Sequence, residues 1–487
     1  MKNTYLKQVY MIALSALLFQ ACATDELEAL ELEETETAAT EADETNDEAA
    51  RNNQNGTVEP FEDTAGLILG WNELWLELDQ HTVGMRPNIV TRSLAYIHLA
   101  GYETAVPFMS GYSSNTERIN NFNLNENAFE DNVNLDLALH TAYAIAIDHF
   151  MFSLEPGERQ AISNFQNNHE NELEDGLSEQ EIENSERWGR HVAQRVINYS
   201  QTDQAAEEQI VNQTPDDYIA PEGIGLWTAA ANEDAWFPYW REVRTFAISP
   251  NQTSSVDFDT ALSYSTNPSS EYYEQMFEVY EITIGAATGA SEDLWVAEFW
   301  ADDVEGLMIS PPGRQVSIAN QLIERNELDF DQALELLLRL GFALNDAAVS
   351  AWDDKYTYNI ERPSNYIREY IDEDFTTNLS RFIDGVNPAF PSYPSGHATF
   401  AGVAAGVFIS FFGTDNIDFT DTTYSNFGNI PFNGAPRSFS SFTEMARENA
   451  YSRVPLGVHI EQDAIEGLRL GYEISDAVNN ITLGPDL

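Results

Sequence analysis

Apolar side chains recur at helical spacing along most of the chain, and this periodicity restricts the fold more than any other feature of the sequence. In residues 91–106, apolar or small side chains form one broad face. The same spacing predicts further helices over residues 135–154, 181–199, 272–289, 292–300, 313–326, 331–358, 397–412 and 458–480. Strand signals are few and lie mainly in the polar stretch 414–441. The sequence therefore predicts an all-α protein.

A polar connector divides these helices into two sets. The chain has 487 residues, whereas one compact core rarely exceeds about 250 to 300 residues. Residues 249–270 are rich in Ser, Thr, Asn and Asp and contain two prolines. We therefore predict two packed helix bundles, an N-terminal half over residues 61–250 and a C-terminal half over residues 271–487.

The N-terminus has the features of an export signal. Lys2 and Lys7 precede an apolar run, residues 9–19, that is too short to span a bilayer. The run closes at Cys22, and the segment resembles a relaxed bacterial lipobox, which implies cleavage of residues 1–22 and a lipid on Cys22. The alternative is a plain secretory signal with an incidental cysteine.

An acidic segment follows the signal. Residues 23–50 contain twelve acidic side chains and no basic one, a composition that self-repels and stays extended. Residues 23–60 are therefore predicted to be a disordered tether. Together the two segments predict an exported protein that is lipid-anchored at a bacterial outer membrane and exposed at the surface.

Charge and cysteine content exclude several functions. The chain has 81 acidic and 23 basic side chains and a net charge of -58, which repels nucleic acid and anionic lipid. We expect no nucleic-acid partner, and membrane contact only through the lipid. The single cysteine excludes a disulfide framework, a zinc ribbon and a CxxC redox site. The sequence makes no prediction of the oligomeric state.

Two short motifs in the C-terminal half offer donors for an anion. Lys355 is the only lysine outside the signal, and Arg362 follows it seven residues later, before a proline that marks a helix end. The segment Pro394 to His397 comes directly before an apolar helix. Its Ser395 hydroxyl, its Gly396 N–H group and the positive end of the helix dipole are suited to an anion.

A third motif contains Arg453, His459 and Asp463. On a helix, His459 and Asp463 lie one turn apart on the same face, so the carboxylate can fix the imidazole tautomer. The three motifs together predict a receptor for a tetrahedral oxyanion. Alternatively, the arginines are solvated partners of surplus carboxylates and the histidines are ordinary helix residues. A cationic cluster without an anion is costly to assemble, which favours the receptor.

The order of these motifs, Lys355-x6-Arg362-Pro363, Pro394-Ser395-Gly396-His397 and Ser452-Arg453-x5-His459-x3-Asp463, closely resembles a known signature. It is shared by the type 2 phosphatidic acid phosphatases and the vanadium-dependent haloperoxidases. Residues 92–103 and 238–246 also resemble segments of the haloperoxidase branch. The resemblance implies a pair of four-helix bundles, in agreement with the periodicity.

The haloperoxidase branch implies a vanadate cofactor, without haem or flavin, and hydrogen peroxide and a halide as substrates. His459 would bond to vanadium, and His397 would be the acid–base catalyst. Hydrogen bonds to the vanadate oxygens would come from Lys355, Arg362, Ser395, Gly396 and Arg453. Lys355 would also polarise the peroxide that the halide attacks, giving hypohalous acid. We expect oxidation of iodide and bromide, with a small organic molecule as a further acceptor.

The phosphatase branch uses the same donors for another reaction. His459 would attack phosphorus to give a phosphohistidine, His397 would protonate the leaving alcohol, and Asp463 would orient His459. A third hypothesis is a binding protein that keeps the fold without catalysis, but the intact donor set disfavours it. Three observations favour the haloperoxidase. No apolar run beyond the signal reaches 18 residues, a whole helical half precedes the motifs, and two aromatic residues resemble that branch.

Those aromatic residues are Trp352 and Phe390, which we expect beside the halide, with core packing as the alternative. Asp303 is expected to pair with Arg453. Two other groups of residues are interpreted as structural. Residues 415–421 offer acidic side chains without a known calcium-loop spacing, which favours a solvated acidic loop. The remaining histidines, which lack paired ligand spacing, are interpreted as core or surface residues: His81, His98, His140, His149, His169 and His191.

Overall fold

The structure is a computed structural model that describes residues 60–484, with gaps at 126–127, 230–233, 250–252, 290, 383–386, 426 and 428–429. The predicted signal, residues 1–22, and residues 23–59 of the predicted tether lie outside the described residues. The predicted boundary between two halves near residues 250–270 stays a prediction.

Helices dominate the described chain, which confirms the predicted all-α fold. The first helices are α1 (Thr64–His81), α2 (Asn88–Ala105), α3 (Leu135–Phe150), α4 (Pro156–Leu173), α5 (Glu179–Ser200), α6 (Gln204–Val211) and α7 (Phe258–Ala261). The next are α8 (Glu271–Ala287), α9 (Glu292–Phe299), α10 (Pro311–Arg325), α11 (Phe330–Tyr358) and α12 (Pro363–Tyr370). The last are α13 (Gly396–Phe412), α14 (Phe442–Tyr451), α15 (Arg453–Leu456) and α16 (Glu461–Asn479).

The sheet content of the described residues is small and lies in the polar stretch 414–441. Strand β1 (Asn416–Asp421) pairs antiparallel with β2 (Arg437–Ser441). None of the described helices combines the length and the apolarity needed to cross a bilayer.

The start of the last helix corrects a prediction. The sequence places its first residue at 458, but α16 begins at Glu461. Gly457 has a left-handed φ of 87°, and Ile460 is extended with ψ at 168°, so the chain turns between α15 and α16 instead of continuing the helix. His459 therefore lies before the helix rather than on its face.

Close packing of α13 on α16 brings two of the predicted motifs together. A Cβ atom on Gly471 would lie 2.5 Å from the backbone oxygen of Thr399, and one on Gly467 would lie 2.6 Å from that of Ser395. Side chains at either position would separate the helices. With glycine, the N-terminus of α13 lies directly against the first turns of α16.

Helix α11 is the central element of this packing. Its side chains are almost all buried from Ala333 to Lys355, and it packs on α2, α13 and α16. Carboxylates on α11 and α16 also hold the polar connector. The backbone N–H of Ser255 donates to Asp354 over 2.7 Å, and that of Val256 donates to Glu466 over 2.8 Å. The connector is thus fastened to the helices that carry the motifs.

Candidate active site

Four structural segments meet at one cavity. They are the end of α11, the turn before α12, the N-terminus of α13 and the segment from α15 to α16. The cavity has a volume of about 680 Å³. Eight of the eleven residues predicted for the site line it: Asp303, Trp352, Arg362, Phe390, Gly396, His397, Arg453 and His459. Lys355, Ser395 and Asp463 are buried behind its wall.

The hydrogen bonds of His459 determine its tautomer. Its Nε2 lies 3.1 Å from Nη1 of Arg362, and its Nδ1 lies 2.8 Å from Oδ2 of Asp463. A guanidinium only donates, so Nε2 must be the acceptor and Nδ1 must carry the hydrogen. Burial, and then the charge of Arg362, lower the pKa of His459 well below its ordinary value. The imidazole is therefore neutral, with its lone pair at Nε2.

His397 and Arg453 share an acceptor. The backbone oxygen of Ala301 lies 3.1 Å from Nε2 of His397 and 3.2 Å from Nη1 of Arg453. Burial, and then Arg453, lower the pKa of His397 to about 3. The neutral ring donates from Nε2 to this carbonyl, which leaves the Nδ1 lone pair free to take a proton.

Asp303 lies between these two groups. Its Oδ2 is 2.5 Å from Nη2 of Arg453, and its Oδ1 is 3.9 Å from Nε2 of His397. Burial opposes ionisation of Asp303, but the charge of Arg453 and its hydrogen bond outweigh burial and lower the pKa of Asp303. Asp303 is therefore ionised and balances part of the positive charge of the site.

Lys355 does not line the cavity. Its Nζ donates to three backbone oxygens, at 3.0 Å in Pro391, 2.7 Å in Ser392 and 2.6 Å in Pro394. These bonds use all three of its hydrogens. Burial, and then Arg362, lower its pKa well below the ordinary value. Lys355 can donate to an anion in the cavity only by giving up one carbonyl.

The aromatic residues form the wall in front of this lysine. The rings of Trp352 and Phe390 lie 4.9 Å apart, and Nζ of Lys355 lies 5.6 Å and 5.3 Å from their centroids. Both side chains are buried and face the cavity on one side and the cation on the other. The indole N–H of Trp352 is buried and finds no hydrogen-bond partner in the described part of the chain.

The unpaired donors of the site fit an oxyanion. Nη2 of Arg362 and Nε of Arg453 are buried and have no hydrogen-bond partner among the described residues, and the same holds for the indole N–H. The first N–H groups of α13, like those of any helix, have no acceptor within the helix. The side chain of Ser395 accepts only from the N–H of Ala398. Buried donors without partners are unfavourable, and a tetrahedral oxyanion would satisfy several of them at once.

The sequence did not indicate Ser392. Its Oγ lies 2.5 Å from Oδ2 of Asp463 and 3.1 Å from Nδ1 of His459. Ser392 lies within the loop between the aromatic wall and α13, and only its nearness to the Pro394 to His397 motif could have drawn attention to it. It joins the histidine–carboxylate pair from outside the predicted motifs.

A buried ion cluster anchors the irregular segment 301–303, of which the sequence analysis had singled out only Asp303. Asp302 has a left-handed φ of 48° and accepts from Arg314 at 3.2 Å and from the hydroxyl of Tyr424 at 2.6 Å. Arg314 also donates to Asp421 at 3.1 Å. These contacts hold the backbone on either side of Asp302 in place. Ala301 and Asp303, in turn, contact His397 and Arg453.

The contact with Arg314 corrects the interpretation of residues 415–421. Asp421 is fully buried and ion-paired, so it is not part of a solvated acidic loop. Asp415 accepts the backbone N–H of Thr443 at 2.9 Å, and Asp418 is exposed on β1. In the described part of the chain, these carboxylates do not converge on one point.

The other histidines lie away from the cavity lining that the described residues form. His98, His140 and His169 are buried, His149 and His191 are partly buried, and His81 is exposed. Nδ1 of His140 accepts from the indole of Trp71 at 3.1 Å, which makes it a satisfied core histidine. These positions agree with their interpretation as core or surface residues.

Comparison with known proteins finds similarity to vanadium haloperoxidases. Residues 335–483 match the VCPO second helical-bundle domain. A vanadium chloroperoxidase from Curvularia inaequalis is 27% identical over 221 residues, and a vanadium-dependent bromoperoxidase from Ascophyllum nodosum is 31% identical over 157 residues. The chain therefore contains a helical-bundle domain of the vanadium haloperoxidase type. These matches cover 34% and 31% of the chain and span only 35% and 25% of the two relatives.

Solved structures of haloperoxidases extend the similarity. A structure titled as the first bacterial vanadium-dependent iodoperoxidase superposes with a TM-score of 0.74 at 25% identity, covering 88% of this chain and 100% of that one. A bacterial vanadium-dependent chloroperoxidase gives a TM-score of 0.59 at 15% identity, covering 82% of this chain and 93% of that one, and supports the fold alone. The haloperoxidase relatives imply a vanadate cofactor. Vanadate is a tetrahedral oxyanion, and its oxygens could accept from the unpaired donors.

Proposed function

We propose that the protein is a vanadate-dependent haloperoxidase that oxidises iodide or bromide with hydrogen peroxide to hypohalous acid. The observation that supports this proposal is that an anion receptor and a neutral His459 occur together. Both His459 and Arg362 line the cavity, and the Nε2 lone pair of His459 lies beside Arg362. Hydrogen-bond donors can hold the oxygens of a metal oxyanion, and an imidazole nitrogen can bind its metal. The similarity to the iodoperoxidase structure supports iodide as a substrate.

The residues have separate roles in this proposal. His459 would hold the metal through Nε2, while Arg362, Arg453 and the Gly396 N–H group would hold the oxygens and balance their charge. Lys355 and Ser395 remain candidate donors from behind the wall. When bound, vanadate supplies a Lewis-acidic centre that activates hydrogen peroxide toward attack by halide.

His397 would move the protons of the reaction. Its Nδ1 is available to accept a proton from hydrogen peroxide, since Nε2 donates to Ala301. The imidazolium that forms would be stabilised by Asp303, 3.9 Å away. The same proton then returns to the oxygen that leaves as water, and one further proton comes from solvent. Halide, hydrogen peroxide and that proton thus give hypohalous acid and water. Trp352 and Phe390 would border the halide.

The acid phosphatase alternative uses the same geometry, with His459 as the nucleophile and Asp463 as its partner. The similarity over 88% of the chain to an iodoperoxidase favours the haloperoxidase. To test this, the purified chain is incubated with orthovanadate and desalted. Peroxide-dependent triiodide formation is then measured beside hydrolysis of a chromogenic phosphate ester by untreated protein.

We expect triiodide formation far above that of free vanadate, and its loss in His459→Ala. The exposed His81→Ala is the matched control and should retain activity. Efficient ester hydrolysis that vanadate only inhibits, without iodide oxidation, would identify a phosphatase instead.

We further propose that the enzyme is exported and lipid-anchored at Cys22, on the basis of the apolar run 9–19 and the acidic residues after it. Cells that express the full chain should incorporate labelled palmitate into the protein, and Cys22→Ala should abolish the label. A soluble, unlabelled product of unchanged Cys22 would indicate a plain secretory signal.

A further inference from the structure

Ser392 connects two parts of the site that otherwise lie apart. Its backbone oxygen accepts from Nζ of Lys355 at 2.7 Å, and its hydroxyl contacts both Asp463 and His459. The residue is only 1% exposed. One buried serine thus touches the lysine and the histidine–carboxylate pair at the same time.

The direction of each hydrogen bond follows from the partners. Arg362 donates to Nε2 of His459, so the ring hydrogen is on Nδ1, facing Oδ2 of Asp463 and Oγ of Ser392. The hydroxyl hydrogen of Ser392 then points to Oδ2, 2.5 Å away. Oδ2 therefore accepts from two side chains, whereas Oδ1 of Asp463 is buried and no described residue donates a hydrogen bond to it.

The hydroxyl is not needed to hold the loop. The backbone of the loop is fastened by the N–H of Ser392 to Ile360 at 2.9 Å, by Arg362 to the oxygen of Phe390 at 3.1 Å and by Lys355. The Tyr393 hydroxyl adds a bond to the oxygen of Val256 at 2.6 Å. None of these contacts uses Oγ of Ser392, so its presence needs another explanation.

We propose that the Ser392 hydroxyl is a positioning group for His459. By donating to Oδ2 it fixes the Asp463 carboxylate, which in turn holds the Nδ1 hydrogen and aims Nε2 at the cavity. Groups that orient a metal-binding histidine through its second nitrogen commonly change affinity by about 10- to 100-fold when they are lost. The inference rests on the proposed function for the identity of the anion, but not for the orientation of the ring.

The test compares full-length wild type with Ser392→Ala and Ser392→Thr, the second of which keeps a hydroxyl. Ser475→Ala is the matched control, because Ser475 is a fully buried serine in α16 whose hydroxyl bonds only locally, to the oxygen of Tyr472 at 2.8 Å. Two properties are measured. One is the affinity for orthovanadate and for inorganic phosphate by calorimetry. The other is the downfield Nδ1–H resonance of His459 in histidine-labelled protein, which needs no ligand.

We expect Ser392→Ala to bind both anions about tenfold or more weakly, and to broaden or lose the Nδ1–H resonance while remaining folded. Ser392→Thr should restore both properties, and Ser475→Ala should change neither. A folded Ser392→Ala with an unchanged resonance and affinities within about twofold of wild type would overturn the inference. If Ser392→Ala does not fold, Ser392→Thr decides the inference. An unaltered Nδ1–H resonance in Ser392→Thr supports the inference, and loss of that resonance refutes it.

Failure of the proposed function gives a different result. A wild type that binds phosphate but does not oxidise iodide with vanadate would refute the haloperoxidase, while the comparison of the serine variants would still decide the role of Ser392. A wild type that binds neither anion leaves the resonance, which is measured without ligand, to decide it.

Discussion

Arg362 lies 3.1 Å from Nε2 of His459, and this contact sets the tautomer of the imidazole. Because an arginine side chain cannot accept a hydrogen bond, the imidazole must present a lone pair there and carry its hydrogen at Nδ1. Nε2 of His459 therefore carries the lone pair that can bind a ligand. An incoming metal oxyanion would replace Arg362 at Nε2 and gain the guanidinium as a donor to its oxygens.

Substitution of His459 and substitution of His397 should impair different properties, vanadate binding and turnover. We expect His459→Ala to lose orthovanadate binding, because it removes the nitrogen ligand. His397→Ala should keep much of the binding and lose turnover by about 10²- to 10⁴-fold, the usual contribution of a general acid–base group. Calorimetry with orthovanadate and the rate of iodide oxidation separate the two effects. Equal affinity of wild type and His459→Ala would refute the ligand assignment.

The motifs could be predicted because their chemistry is local. Lys355 is the only lysine outside the signal, and the order of the three motifs, which resembles a known signature, singled out Arg362 and Arg453. Helical periodicity located the neighbouring helices. Ser392 could not be predicted in the same way, because serine is common in loops. Its role depends on the packing that brings the loop against Asp463.

Other features were missed for reasons of tertiary structure. Helix α4 buries only Ile162 and His169, so it lacks an apolar stripe that periodicity could detect. The start of α16 was misplaced because the turn at Gly457 is fixed by a left-handed backbone angle. The burial of Asp421 depends on Arg314, which lies 107 residues earlier in the chain.

Arg314 should be a major determinant of stability. It is fully buried between Asp302 and Asp421, so Arg314→Met would leave two carboxylates without their cation. Breaking a buried ion pair in this way costs about 3 to 5 kcal/mol of unfolding free energy. The matched control is Arg159→Met, whose partner Asp148 is half exposed, and which should cost about 1 kcal/mol or less. Denaturant unfolding measures the loss in both variants. Equal losses would show that the buried cluster stabilises the fold no more than an exposed ion pair does.

A methyl group added at Gly471 should weaken the packing of α13 on α16 and lower the stability of the fold. The Cβ atom of Gly471→Ala would lie 2.5 Å from the backbone oxygen of Thr399, so the helices must move apart. We expect a loss of about 1 to 3 kcal/mol in unfolding free energy and weaker orthovanadate binding, since α13 carries Gly396 and His397. Gly285→Ala is the control, because its Cβ atom would meet nothing within 4 Å. A Gly471→Ala protein as stable as this control would contradict the packing.

His98 should make the fold sensitive to acid. It is 1% exposed, neither ring nitrogen has a hydrogen-bond partner, and burial lowers its pKa to about 3. The unfolded chain takes up a proton near the ordinary histidine pKa of about 6.5, whereas the folded chain does so only near pH 3. Between these values the unfolded state binds more protons, so stability falls as the pH is lowered, by up to about 1.4 kcal/mol per pH unit for this one residue. In His98→Leu, the slope of unfolding free energy against pH between 4 and 6 should decrease by about one proton. Chemical unfolding across this range measures the slope, and identical slopes in the two proteins would mean that His98 is protonated equally in both states.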